Sequence, residues 1–272
     1  MTKIILGTAN LGVRYGVLGS KFNINDFRKS IQLLKKKKHE FIETSLEYKN
    51  SLKIINKSNI KDFRLTLKAN FLEKNEEDKI LRFKKKNNIK KFYCIMLHNP
   101  DVLLKNTSVY KRLITLKKNN LCDYIGISFY NYNNFFFILK KFKFDVIQVP
   151  LNIFDQRLLK KMIISFIKKK KIIVQARSIF LQGLLLKNKH KFSKENEFLV
   201  FKKWLMGNID KSRLYHCINF IKLNSFIKFL IIGASSFKDV KYILNKFLKK
   251  KKNYDYNKLA VKNKKIISPD LW

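Results

Sequence analysis

Acidic side chains are scarce in this 272-residue chain: 19 Asp and Glu stand against 60 Lys and Arg, a formal net charge of +41. Such an excess ordinarily raises nucleic acid or an anionic membrane as a partner. Glycine, proline and tryptophan are also few, at 8, 3 and 2 residues. Lys, Asn, Ile and Phe abound, the bias that AT-rich codon usage produces, so much of the charge reads as compositional drift. No aromatic-basic motif of a nucleic-acid module accompanies the lysines, and nucleic acid is not expected as a partner. The runs Lys35 to Lys38, Lys84 to Lys86, Lys168 to Lys171 and Lys249 to Lys252 fall near the ends of expected helices. There cations complement exposed carbonyls and the helix dipole; attraction of an anionic cofactor or substrate is a side effect of the same charge.

Other absences narrow the class further. No window approaches the roughly 18 uninterrupted apolar residues of a membrane span, and the opening "MTKIILGTANLG" lacks the apolar stretch and cleavage site of a secretory signal. The expectation is a cytoplasmic protein without a membrane partner. Cys94, Cys122 and Cys217 are scattered and odd in number, which fits buried free thiols rather than disulfides or metal spacing. His39, His190 and His216 lack partners at ligand spacing, so no metal site is expected. No linker rich in Gly, Pro or Ser divides the chain and no repeat of 20 to 50 residues is visible, so residues 1–272 are read as one domain.

What the chain does contain is an alternation of short β-branched or aromatic runs with longer helical stretches, the signature of repeated βα units. Strands are expected at Lys3 to Gly7, Phe41 to Ser45, Arg64 to Ala69, Phe92 to Asn99, Tyr124 to Phe129, Val146 to Leu151, Ile172 to Ser178 and Phe229 to Ala234. Helical stripes are clearest at Leu159, Met162, Ile163, Phe166 and Ile167 and at Val240, Ile243, Leu244, Phe247 and Leu248. Eight such units predict an α/β fold, a single (β/α)8 TIM barrel, whose usual length is about 250 residues. An insert from about Leu185 to Phe226, containing Trp204 and a pair of helices, separates the last two strands and is placed to face substrate.

Three of these strands end in groups that carry chemistry. "EFIETSLEY" supplies Glu43 and then Tyr48, "RLTLKA" supplies Lys68, and "FYCIMLHN" supplies His98. A parallel barrel would bring the four to one rim, where active sites of that architecture are built. A carboxylate, a phenol, an amine and an imidazole are what carbonyl reduction needs to protonate an oxygen while a hydride arrives from a cofactor.

At this point the chain resembles the aldo-keto reductase family over most of its length. "LGTANLGVRYG" is similar to the family's first strand and following loop, "ETSLEY" to its Asp-Thr-Ala-x-x-Tyr element, "LTLKA" to the strand bearing its lysine and "IMLHNP" to its Leu-His-x-Pro strand. "YIGISFYN", "DVIQVPLNIFDQR", "ARSIFLQGLL" and "LIIGASSFKDV" follow in the family's order. The resemblance implies an NADP- or NAD-dependent reductase acting on a small-molecule carbonyl substrate, an oxo-sugar derivative by analogy with short bacterial members. Tyr48 would be the general acid, Lys68 the cation that lowers its pKa, Glu43 the carboxylate that fixes Lys68, and His98 the group that orients the carbonyl and shares the proton relay. It further implies that Gly7, Thr8, Ser128, Gln148, Arg177, Ser178, Phe180, Gly233, Ala234 and Ser235 hold the cofactor, with the "GASSFKDV" turn at its adenosine-phosphate end.

The chain also departs from the family's pattern. Glu43 stands for Asp, Phe129 for Asn, Arg177 for an aromatic residue that stacks under the nicotinamide, and Asp239 where Arg or Gln is frequent. An acid at 239 would repel a 2′-phosphate, leaving NADPH against NADH open. Arg157 is a candidate for an anionic substrate or for a salt bridge with Asp155 or Asp101, while Leu11, Tyr15 and the insert around Trp204 are expected to shape the pocket. The rival reading is a catalytically impaired barrel that binds the cofactor in a regulatory or structural role. Oligomeric state is not legible.

Overall fold

The computed structural model describes residues 2–14, 16, 19, 21–73, 75–188, 190–208 and 210–272; Tyr15 lies outside them. Eight strands run β1 (Lys3–Gly7), β2 (Phe41–Ser45), β3 (Arg64–Ala69), β4 (Phe92–Leu97), β5 (Cys122–Ser128), β6 (Val146–Pro150), β7 (Ile173–Arg177) and β8 (Ile227–Ile232). Each pairs in parallel with the next, and β8 returns to β1, so the sheet closes in sequence order as a (β/α)8 TIM barrel. The strands expected from sequence match these to within two residues at either end.

The helices alternate with them. They are α1 (Ile24–Lys36), α2 (Lys49–Ile55), α3 (Glu76–Lys86), α4 (Pro100–Lys105), α5 (Ser108–Lys118), α6 (Phe135–Lys141), α7 (Lys161–Lys169), α8 (Asn196–Met206), α9 (Arg213–Leu223), α10 (Phe237–Leu248) and α11 (Lys264–Ile267). Helix α1 illustrates how the sequence sets them. The Asn23 side chain accepts the Asp26 amide, Phe27, Ile31 and Leu34 bury one stripe, and Lys35 and Lys36 fall in the last turn. Lys84 to Lys86 and Lys168 and Lys169 close α3 and α7 in the same way. In a barrel those helix ends lie away from the rim where the strands finish.

Period-two alternation divides each strand between the helical layer and the interior. Ile5, Phe41, Tyr93, Cys94, Met96, Val146, Phe229 and Ile231 form an apolar cluster of their own, with Ile231 reaching the cavity that Tyr48 and Lys68 line. Gly126 is required there, since a Cβ would sit 2.8 Å from Met96 Cε and 3.0 Å from both Cys94 Sγ and Val146 O. The insert between β7 and β8 resolves into an added helix, α8, and the regular barrel helix, α9, which packs on α10 and β8. Trp272 leans on Phe192 with ring centroids 5.5 Å apart and donates its indole N–H to Lys265 O. Among the described residues no helix is long and apolar enough to cross a membrane.

Candidate active site

The same alternation builds the site. In β2 it turns Phe41, Glu43 and Ser45 to one face, in β3 Thr66 and Lys68, and in β4 Cys94 and Met96, with His98 one step beyond the strand. The register places Ser45 beside Lys68 and Lys68 beside Met96. Polar residues thus cap an apolar interior column.

Glu43 and Lys68 meet there. Lys68 Nζ lies 2.5 Å from Glu43 Oε1, with both side chains 5% exposed. The extra methylene of Glu relative to Asp therefore does not prevent the ion pair. Lys68 Nζ also donates to the Tyr48 hydroxyl at 3.0 Å, and Tyr48 stands in the cap position before α2. Burial disfavours the Lys68 ammonium and is the largest single influence, but Glu43 together with Tyr48 and Tyr130 outweighs it and the pKa rises overall. For Tyr48 the balance goes the other way from the expectation. Lys68 lowers the phenol as foreseen, yet burial, aided by Glu43, pushes it up to about 12. Tyr48 therefore holds its proton throughout the neutral range.

A second polar chain lies beside the first. His98 Nδ1 is 3.0 Å from Ser45 Oγ and 3.4 Å from Glu47 Oε2, while Ser45 Oγ donates to Glu47 Oε2 at 2.5 Å. On its other side His98 Nε2 is 3.1 Å from the Tyr130 hydroxyl. Burial lowers the His98 pKa more than Glu47 raises it. Ser45, Glu47 and Tyr130 were not singled out from sequence. The signal for Glu47 was its place within "ETSLEY", one residue before Tyr48.

Tyr48, Lys68, Glu43 and Tyr130 line a cavity of about 990 Å³, at the upper end of the 300–1,000 Å³ typical of ligand sites. Of the residues marked from sequence, Gly7, Gly233, Ala234 and Ser235 reach it from the β1 and β8 ends. Gln148, Arg177, Ser178 and Phe180 reach it from β6 and from the end of β7. Three others do not. Thr8 is fully buried, its carbonyl accepting from Ser51 Oγ. Ser128 is buried 3.4 Å behind Gln148 Oε1, and His98 stands behind Tyr130. Leu11 is fully buried and off the cavity wall. Trp204 packs among His216, Tyr254 and Tyr256, while its neighbours Lys202, Leu205 and Met206 face the cavity.

The wall is fit for an anionic, partly aromatic ligand. Among the described residues, Arg177 Nε and Arg213 Nη1 are buried atoms with no hydrogen-bond partner, and both arginines line the cavity, as do Lys187, Lys202 and Lys211. Buried donors of this kind carry a desolvation cost that a bound acceptor relieves. At Gly233 an added Cβ would find no atom within 4 Å, so the backbone there borders open space. The turn after β8 is differently arranged from the expectation of free amides. Ser235 N–H donates to Asp239 Oδ2 and Asp239 N–H to Ser236 Oγ, a reciprocal cap on α10. Arg157 forks onto Asp155 through Nε and Nη2, at 2.8 and 2.7 Å.

The model of the aldo/keto reductase family matches residues 3–264. The chain belongs to that family. Its fold is shared with the holo form of an aldo-keto reductase from Bacillus halodurans, at TM-score 0.75 and 16% identity over 95% of this chain and 92% of that one. It is likewise similar to a glycerol dehydrogenase from Gluconobacter oxydans, at TM-score 0.70 and 14% identity over 94% and 89%. An aldo-keto reductase from a deep-sea metagenome library of the Medee basin aligns at TM-score 0.64 and 18% identity over 95% and 90%. No curated protein sequence matches. Membership of the aldo-keto reductases makes the protein an oxidoreductase and implies NAD(P)H-dependent carbonyl reduction.

Proposed function

We propose that the protein reduces an aldehyde or ketone with Tyr48 as the proton donor, Lys68 and Glu43 as the pair that holds it in place, and the large cavity as the seat of NADPH or NADH. One observation carries the reading: a phenol hydrogen-bonded to a buried, carboxylate-paired ammonium opens onto a cavity with room for a dinucleotide and a small substrate. When bound, the nicotinamide supplies the hydride. The rest is the work of this chain's residues.

Lys68 donates to the Tyr48 oxygen, which leaves the phenolic hydrogen free to point at a substrate carbonyl. As negative charge grows on that oxygen, Tyr48 passes its proton across, and the adjacent ammonium stabilises the phenolate left behind. Glu43 holds Lys68 charged through this exchange, because burial alone would favour the neutral amine. A pKa of about 12 keeps Tyr48 loaded at neutral pH, the condition for an acid and a poor one for a base.

Gln148 would hold the carboxamide, Arg177 would stack on the ring, and Ser178 and Phe180, with Arg213 and the insert lysines Lys187, Lys202 and Lys211, would meet the phosphates; all of them line the cavity. Asp239 sits at the same wall as Gly233 and Ser235, so its carboxylate favours ribose hydroxyls over a 2′-phosphate and NADH over NADPH. An oxo-sugar derivative fits the substrate class by analogy with short bacterial relatives.

The test is a fluorescence titration with NADH and NADPH side by side, followed by turnover of 4-nitrobenzaldehyde and a panel of sugar and non-sugar carbonyls. Saturable quenching with turnover supports the reading. Quenching without turnover of any carbonyl would instead support a barrel that binds the cofactor and has lost the reaction.

A further inference from the structure

The orientation of the protons along the Glu47–Ser45–His98–Tyr130 chain can be worked out from its donors and acceptors. A carboxylate only accepts, so Glu47 requires a donor from both neighbours. Ser45 has one hydrogen, and Glu47 Oε2 at 2.5 Å and Lys68 O at 3.2 Å, both able only to accept, compete for it, so toward His98 its oxygen accepts. Both groups facing His98 Nδ1, Ser45 at 3.0 Å and Glu47 at 3.4 Å, are then acceptors, and Nδ1 carries the hydrogen. In neutral His98, Nε2 is left as a lone pair. Its neighbour, the Tyr130 hydroxyl at 3.1 Å, must donate to it.

That places Tyr130, not His98, at the cavity. Tyr130 is 39% exposed and lines the wall with Tyr48, whereas His98 is 8% exposed behind it. The Arg177 guanidinium covers the Tyr130 ring at 4.4 Å, and Arg177 Nη2 donates to Phe129 O at 2.9 Å, which holds the ring in its place. With His98 neutral, the Tyr130 hydrogen points inward and its lone pairs face the cavity. With His98 protonated, Nε2–H becomes the donor and the Tyr130 hydrogen is released toward the cavity.

We propose that Tyr130 is a second hydrogen-bonding group for the substrate oxygen, and that the charge on His98 behind it switches Tyr130 from acceptor, suited to an alcohol, to donor, suited to a carbonyl. Glu47 is the positioning residue that sets the His98 tautomer and favours its charged form. The proposal rests on the reductase reading above. The switch takes one proton from solvent onto His98 Nε2; the proton transferred to the substrate comes from Tyr48, and Tyr130 keeps its own. The charged groups facing His98 besides Glu47 are Lys68 of β3, which opposes its protonation, and Glu43 of β2, which favours it. Tyr48 meets the ring edge-on.

The experiment has two readouts. Nitrogen-15 NMR of the free protein, with the His98 signal identified by its loss in His98→Gln, is expected to show the Nδ1–H tautomer at neutral pH. In Glu47→Gln the His98 titration should move to lower pH, and with it the fall in aldehyde turnover that accompanies loss of the His98 proton as pH rises. In Tyr130→Phe, kcat/KM for an aldehyde should fall roughly tenfold or more at pH values where His98 is charged, with little change where His98 is neutral, so the part of the pH profile that follows His98 should flatten, with nucleotide binding retained. An Nε2–H tautomer overturns the proposal, as does a Tyr130→Phe enzyme with wild-type rates and pH profile. A wild type that turns over no carbonyl removes the reductase reading and this proposal with it, a result distinct from either of those.

Discussion

The two arcs of the barrel rim are furnished in opposite ways. Along β2 to β4, Glu43, Lys68 and Tyr48 lean on one another and Ser45, Glu47 and His98 form a chain with Tyr130 of the next loop. Along β7 to β8 and the insert, Arg177 Nε and Arg213 Nη1 have no partner among the described residues, and Gly233 borders empty space. A group that must hold a proton or a charge through a reaction is best fixed in advance by its neighbours. A group meant for a ligand keeps hydrogen-bonding capacity in reserve. The arc whose ionised groups already pair with one another is where we place the chemistry, and the one that keeps unpaired donors is where we place the dinucleotide.

If the arcs are distinct, they should fail separately. The largest effect is expected from Lys68→Met, which strands Glu43 without a counter-ion in the interior. We expect a stability loss of about 3–5 kcal/mol in chemical denaturation, with turnover reduced by roughly 10²–10⁴-fold. Adding Glu43→Leu should restore most of the stability and none of the turnover, since a buried pair can be replaced by apolar residues at little cost. A single variant as stable as wild type would mean the pair is not buried as described.

On the opposite arc, Gly233→Trp should fill the space beside the backbone. Nucleotide affinity is expected to fall roughly tenfold or more, equivalent to about 1.4 kcal/mol, while stability changes by about 0.5 kcal/mol or less. Unchanged nucleotide titrations would move the dinucleotide elsewhere.

The smallest effect concerns the molecule as a whole. His39, His98, His190 and His216, the four histidines of the chain, all have pKa values held below 6.5, burial being the main cause. Below pH 6.5 the unfolded chain takes up protons that the folded one resists, so stability is lost as pH falls through 6.5 toward the lower folded values. Glu47 acts further down. Its pKa is lowered despite burial by His98 and Ser45, so its contribution is present above the ordinary carboxylate range and lost as pH falls through and below that range. Melting temperatures measured from pH 7 to pH 5 should decline, and a flat profile would contradict these assignments.

Much of this was legible in the sequence because strand periodicity is a local property. "EFIETS" and "RLTLKA" alternate plainly enough to put Glu43 and Lys68 on one face, and the barrel closure then brings them together. What sequence did not show depends on loops meeting across strands. Tyr130, in the loop after β5, reaches His98 after β4, and no periodicity encodes that contact. Thr8 and Ser128 were placed in the cofactor set by resemblance, but their side chains sit behind the cavity wall. The α10 cap was within reach: Ser236 and Asp239 stand three residues apart, the spacing of a reciprocal cap, and that pairing occupies the Ser235 amide. The Tyr48 pKa was misjudged because Lys68 was weighed without the burial that surrounds both groups.

The most direct test of the central claim is Tyr48→Phe, which removes one oxygen atom from the arc of β2 to β4 and leaves the other untouched. NADH and NADPH titrations should match those of wild type, with aldehyde turnover lower by roughly 10²–10⁴-fold. Turnover within a few-fold of wild type would contradict the claim, because the proton would then come from another group.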